Sequence, residues 1–249
     1  LKYLWKILDT SINDIIRDIT CYILIEIEAN HKVHFRKSIL MKYGIHLETF
    51  LMMQKYSQQL TVLQGFSILS EITNKNENGR QDCHTLLLNN GRINFVKMQL
   101  NEIYLKKIMS QLDVDVLYYI SSFMSNLTLT RNNTIPYDFI NIAIQIFQAI
   151  DDECIKNQNQ SINETMFNVI QMLYQIYRNH HYMRKQLYEI LSGDNHLLLK
   201  SILKYIKFKR CGDVRLSVFW LLREMIGDFE LAMIASTRFI ELVNYSITE

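Results

Sequence analysis

Proline and glycine are nearly missing from this chain of 249 residues, with one Pro and seven Gly. Sandwiches, barrels and α/β folds with glycine-rich ligand loops need far more of both at their turns. Their scarcity predicts an all-helical protein. Cysteine is scarce too: Cys21, Cys83, Cys154 and Cys211 lie at least 57 positions apart. That spacing argues against a zinc knuckle, a redox dithiol or a secreted disulfide framework, and predicts reduced, mostly interior thiols. Neither sign of charge dominates, with 27 Lys+Arg against 25 Asp+Glu. So mild a balance does not point to nucleic acid or a membrane surface. Long apolar runs are missing as well. Glu26 and Glu28 cut off the stretch Cys21–Ile25, and no segment reaches the ~18 residues of a spanning helix. Asp9, Asp14 and Asp18 interrupt the one leader-like region, so no signal peptide is read. A soluble cytoplasmic or nuclear protein, not a secreted one, is the expectation. No Ser or Cys sits in a nucleophile elbow and no Gly-rich phosphate loop is present. The reading is therefore a non-enzyme with no cofactor and no small-molecule substrate.

Apolar residues make up 49% of the chain and charged residues 21%, ordinary globular usage that supports a core without a metal or disulfide staple. Ala occurs five times while Ile, Asn, Lys and Tyr abound, a codon bias that makes the Asn-X-Ser/Thr sequons read as chance. Ile12, Ile15, Ile16, Ile19 and Ile23 form one helical stripe. Phe167, Ile170, Tyr174 and Tyr177 form another, as do Leu198, Ile202, Leu203 and Ile206.

A longer period lies over these stripes. Gly44, Gly91 and Gly193 each precede an apolar helical run, the first two 47 apart and the last two 102, or two steps of 51. The missing member falls near Pro136. Gly in a left-handed cap and Pro at a helix start both punctuate helices. The first unit reads as helices Phe35–Tyr43, Ile45–Lys55 and Gln58–Thr73, and the second as Arg80–Asn89, Ile93–Glu102 and Lys106–Leu127. The third has Pro136–Ile150 and Glu164–Arg178. The fourth has Tyr182–Ser192, His196–Lys207 and Asp213–Ile226, and Phe229–Ile247 begins a fifth. One solenoid is expected: a cap at 1–30, repeats at about 31–79, 80–133, 134–179 and 180–227, and a partial repeat at 228–249.

The run Ile120–Phe139 resembles importin-α, in which a third helix with a Ser-Asn-Leu-like end leads through a Pro-containing loop into the next repeat. Phe35–Leu40 is similar to the start of a first armadillo repeat, Leu63–Thr73 to its third helix, and Leu88–Val96 to the helix–Gly–helix turn that follows. The resemblance covers about residues 31–247. It implies a right-handed α-solenoid of four to five armadillo-like three-helix repeats whose concave surface holds an extended protein segment. In that family a ladder of Trp, with Asn four residues later, lines the third helices: the Trp stacks on Lys or Arg stems and the Asn clamps the peptide backbone. The matching pairs here are Ser67/Glu71, Ser122/Asn126, Gln171/Gln175 and Trp220/Glu224, the second members 55, 49 and 49 residues apart. Only Asn126 and Trp220 keep the family's residue types, which argues against binding of basic nuclear-localisation signals. The family's basic importin-β-binding segment is not matched either: residues 1–30 hold Lys2, Lys6 and Arg17 against five acidic residues.

The resemblance thus implies a protein-binding adaptor or scaffold, with a structural subunit of a larger assembly as the alternative. Lys200, Lys204, Lys207, Lys209 and Arg210, followed by Arg215, form the strongest charge feature. It reads as a solvated face or as a seat for an acidic partner. Trp220 reads either as core or as a groove wall. His31 and His34, without a third ligand placed nearby, read as exposed rather than as a metal pair.

Overall fold

The computed structural model describes Tyr3, Leu4, Lys6, Ile7, Ile16, Thr20 and Ile23, and then residues 45–227 except 57, 75–76, 89–90, 107–108, 131–133, 157–158 and 208–211. Among the described residues the chain is all-helical, with no strand. It divides into two units, Leu1–Thr130 and Arg131–Glu249. The expected helices Phe35–Tyr43 and Phe229–Ile247, and Gly44, His31 and His34, lie outside the described residues.

Unit 1 contains α1 (Ile45–Lys55), α2 (Gln59–Thr73), α3 (Glu77–Leu88), α4 (Arg92–Tyr104) and α5 (Gln111–Thr128). Helix α2 packs against α1 and lies along α5, while α3 touches α2, α4 and α5. Four phenylalanines from four helices make the centre. Phe66 of α2 stands 6.4 Å from Phe50 of α1, 6.1 Å from Phe123 of α5 and 6.5 Å from Phe95 of α4. Such ring pairs each add about 0.5–1.5 kcal/mol beyond area burial. Helix α1 can approach α2 closely because residue 65 is Gly: a Cβ there would collide with the thioether of Met53. Gly91, the N-cap of α4, takes φ 69°, the left-handed conformation in which a side chain is strained.

Helix α5 begins at a capping box. The Ser110 hydroxyl accepts the Asp113 N–H while the Asp113 carboxylate accepts the Ser110 N–H. Asp113 is buried and also receives Gln59 of α2 and the Lys106 ammonium. Burial pushes its pKa up, but Lys106, Ser110 and Gln59 together hold it below the ordinary carboxylate value. The cap moves the start of this helix from the expected Lys106 to Gln111.

Unit 2 contains α6 (Asp138–Lys156), α7 (Gln160–Asn179), α8 (Arg184–Lys204) and α9 (Gly212–Gly227), with 3-10 turns at His181–Met183 and Tyr205–Lys207. Helix α7 packs on both α6 and α9. The buried Tyr205 donates to the Asp151 carboxylate at 2.7 Å and meets Phe147 edge-on at 6.2 Å, fastening the second turn to α6. The Tyr182 hydroxyl accepts the Ile135 N–H at 2.6 Å and donates to the Ile135 carbonyl at 2.9 Å, fixing the residue before Pro136.

One expected break is absent. The chain does not stop at Ser192 and restart at His196; α8 runs through Gly193. A glycine inside a helix costs about 1 kcal/mol relative to alanine. Here Leu187 and Leu191 before it, and Leu199, Ile202 and Leu203 after it, are all buried, so continuous apolar packing outweighs that cost. Gly193 is therefore not a repeat mark. Nor does the Lys200–Lys204 face continue as α-helix to Lys207, because the backbone tightens to a 3-10 turn at Tyr205.

Arg92 and Arg184 donate to the carbonyls of Leu86 and Tyr177, only 6 and 7 residues away on the preceding helix, while longer-range bonds between elements fall in a narrow band of sequence separation. Gln59–Asp113, Ser70–Ser122, Ser70–Asn126, Thr73–Asn126, Ile135–Tyr182, Gln171–Ser217 and Asp151–Tyr205 link residues 46 to 56 apart.

Candidate functional site

The ladder positions fall on the two closest helix pairs, α2 with α5 in unit 1 and α7 with α9 in unit 2. In unit 1 Ser67, Ser122 and Asn126 are half-buried and Glu71 is exposed. The Ser122 and Ser70 hydroxyls meet at 2.6 Å across the helix pair. The Asn126 amide donates to the Ser70 carbonyl and to Thr73 Oγ1, each at 3.2 Å. Both hydrogens of that amide therefore hold α5 against α2. Asn126 stitches helices together, and the amide nitrogen of its sequon is engaged in these two bonds.

In unit 2 Gln171, Gln175 and Glu224 are half-buried. The Gln171 amide donates to the Ser217 hydroxyl at 2.8 Å, and Ser217 donates in turn to the Asp213 carbonyl at 2.9 Å. Gln175 accepts from the Asn179 amide at 2.9 Å. Trp220 is 39% exposed, and its ring faces that of Tyr174 at 6.0 Å. It belongs to the edge of the helix pair, not to the core. Arg178 lies over the Tyr174 ring at 5.8 Å and donates to its hydroxyl at 2.8 Å, so a cation already stacks beside the Trp220–Tyr174 pair.

Of the basic run, Lys200 and Lys204 are exposed, one helical turn apart on α8. Lys209 and Arg210 lie outside the described residues, and so does the side chain of Lys207. Among the described residues no group of three or more His, Cys, Asp and Glu could hold a metal ion. Burial pushes the Cys83 thiol far above its ordinary range and Asp82 adds to the effect, leaving it unreactive. His46, near the start of α1, has its pKa lowered mainly by burial, with Asp82 opposing and Arg92 reinforcing the shift. No helix among the described residues is long and apolar enough to cross a membrane.

Sequence reasoning missed Ser70, Thr73 and Ser217, the partners of the ladder residues. Ser70 and Ser217 sit three positions from Ser67 and Trp220, on the same helix faces, and that adjacency is the signal that could have found them. No family model, curated protein or solved structure matches the chain.

Proposed function

We propose that the chain is a non-enzymatic protein-binding scaffold of armadillo-like repeats, related in plan to importin-α. An extended protein segment would lie on the α2–α5 pair of unit 1 or on the α7–α9 pair of unit 2, each pair serving by itself. The observation that carries this reading is the recurrent 46–56-residue separation of the long-range bonds between elements. A stack of units of about 50 residues joins equivalent positions of neighbours at that separation, and such stacks serve mainly as binding surfaces. Glu71, Gln175, Trp220 and Glu224 offer the partner polar and aromatic contacts. With Asn126 committed to α2 and one Trp in place of a ladder, the surface suits a segment less basic than an import signal.

The test is selection of linear peptides from a displayed library on the immobilised chain. Selected peptides are expected to bind Glu71→Ala/Gln175→Ala at least tenfold more weakly, and a Lys-rich import-signal peptide to bind poorly to the parent chain. Selected peptides that ignore both substitutions would sink the reading. One observation favours a second reading, a subunit fixed in a larger assembly. Ser122, Asn126 and Gln171 each bond to a neighbouring helix, which is what a rigid structural member requires. Recovery only as a stoichiometric complex that survives high salt would favour it.

A further inference from the structure

Helix α9 has an apolar face beyond the one it buries. Val214, Ser217, Val218, Leu221, Leu222 and Met225 point into unit 2. Away from that side Leu216 and Phe219 are 46% and 47% exposed, and Trp220, at the border with α7, is 39% exposed. At 3.6 residues per turn these three and Arg223 form one stripe, where a helix of a globular unit ordinarily shows polar residues. Arg215 and Arg223 are exposed at its two ends, about 12 Å apart along the axis at 1.5 Å per residue. Neither makes a hydrogen bond or ion pair among the described residues. The acidic residues of α9, Asp213 and Glu224, fall on the flank between Trp220 and Ser217. That flank meets Tyr174 and Gln171 of α7, so among the described residues of α9 the outer stripe carries positive charge alone.

We infer that this stripe docks an amphipathic helix of a partner protein, with leucine or aromatic anchors against Leu216, Phe219 and Trp220 and carboxylates opposite Arg215 and Arg223. The spacing of the anchors fits side-chain ridges seating in the grooves of a second helix, and the charge selects an acidic partner over a basic one. The inference rests on the protein-binding reading; its stripe shares Trp220 with the ladder at one edge and runs away from it over Phe219 and Leu216.

The test uses the full chain and two fluorescein-labelled synthetic helical peptides. Both carry Leu at alternating three- and four-residue spacing, one flanked by Glu and the other by Lys. Anisotropy titration is expected to show the Glu peptide binding about tenfold more tightly than its Lys twin, and more weakly as salt rises. Arg215→Glu/Arg223→Glu should invert the preference, and Phe219→Ser should weaken both peptides. All three positions are exposed, so circular dichroism should be unchanged. Equal binding of the two peptides, no binding of either, or no inversion overturns the inference. Binding seen only after deletion of residues 228–249 also overturns it, and assigns the stripe to the chain's own C-terminal segment. Unchanged binding of the Glu peptide to Glu71→Ala/Gln175→Ala separates this face from the ladder.

Discussion

Replacing Asn126 by alanine removes two bonds that hold α5 to α2. A buried neutral hydrogen bond contributes about 1 kcal/mol net, so the expected loss is about 2 kcal/mol. It should not be much larger, because no orphan is left behind. The Ser70 carbonyl keeps the Asn74 N–H as a donor, and the Thr73 hydroxyl keeps a bond to the Leu69 or the Ser70 carbonyl. Asn126→Asp keeps the shape but cannot donate, and sets a carboxylate against the Ser70 carbonyl. Its loss should be greater, about 3 kcal/mol. Urea unfolding followed by far-UV circular dichroism measures both. Thr73→Ala should show coupling with Asn126→Ala of about 0.5–1 kcal/mol in a double-mutant cycle. An unchanged unfolding midpoint for Asn126→Ala, together with weaker peptide binding, would refute this reasoning and return Asn126 to the role of a ligand clamp.

Three further outcomes follow from the core and the caps. Asp113 has a folded pKa below its unfolded value of about 3.9. Its stabilisation is complete above that value and is lost as pH falls through the folded one. The parent chain should lose stability below about pH 4, while Asp113→Asn should be less stable at pH 7 and flatter across the acid range, measured as urea midpoints against pH. Gly65→Val should cost about 1–3 kcal/mol by overpacking against Met53; Met53→Ala in the same chain should recover part of it, and a cost that is merely additive would exclude the collision. Phe66→Ala should cost about 3–5 kcal/mol, against under about 0.5 kcal/mol for the exposed Phe219→Ala; similar thermal shifts for the two would contradict the burial described.

Most helices were legible because their apolar residues recur at helical spacing: Ile45–Lys55 was read to the residue, and α2, α4, α7 and α9 to within a few. Gly91 was legible as a left-handed position. Gly193 looked the same in sequence, and only the shared phase of Leu187, Leu191, Leu199 and Ile202 shows that the helix runs on. The Ser110–Asp113 cap was readable from its spacing and was overlooked because an apolar stripe marks a helix's middle better than its ends. The ladder was half legible. The importin-α resemblance proposes the positions, but whether Asn126 reaches solvent or Ser70 depends on how α2 and α5 settle side by side, which no local pattern encodes. Trp220 was ambiguous for a similar reason. From Val218 to Leu222 the helix is apolar all round, so the sequence does not say which side the rest of the unit covers.

Crosslinking mass spectrometry on the tagged chain, recovered from its own cells with low-salt and high-salt washes, tests the central claim most directly. The account predicts a protein partner in fixed proportion, with crosslinks that fall on α2 and α5 within reach of Glu71, or on α7 and α9 within reach of Gln175 and Glu224. A chain recovered alone under both washes, or a partner crosslinked only to the far sides of those helices, would contradict it.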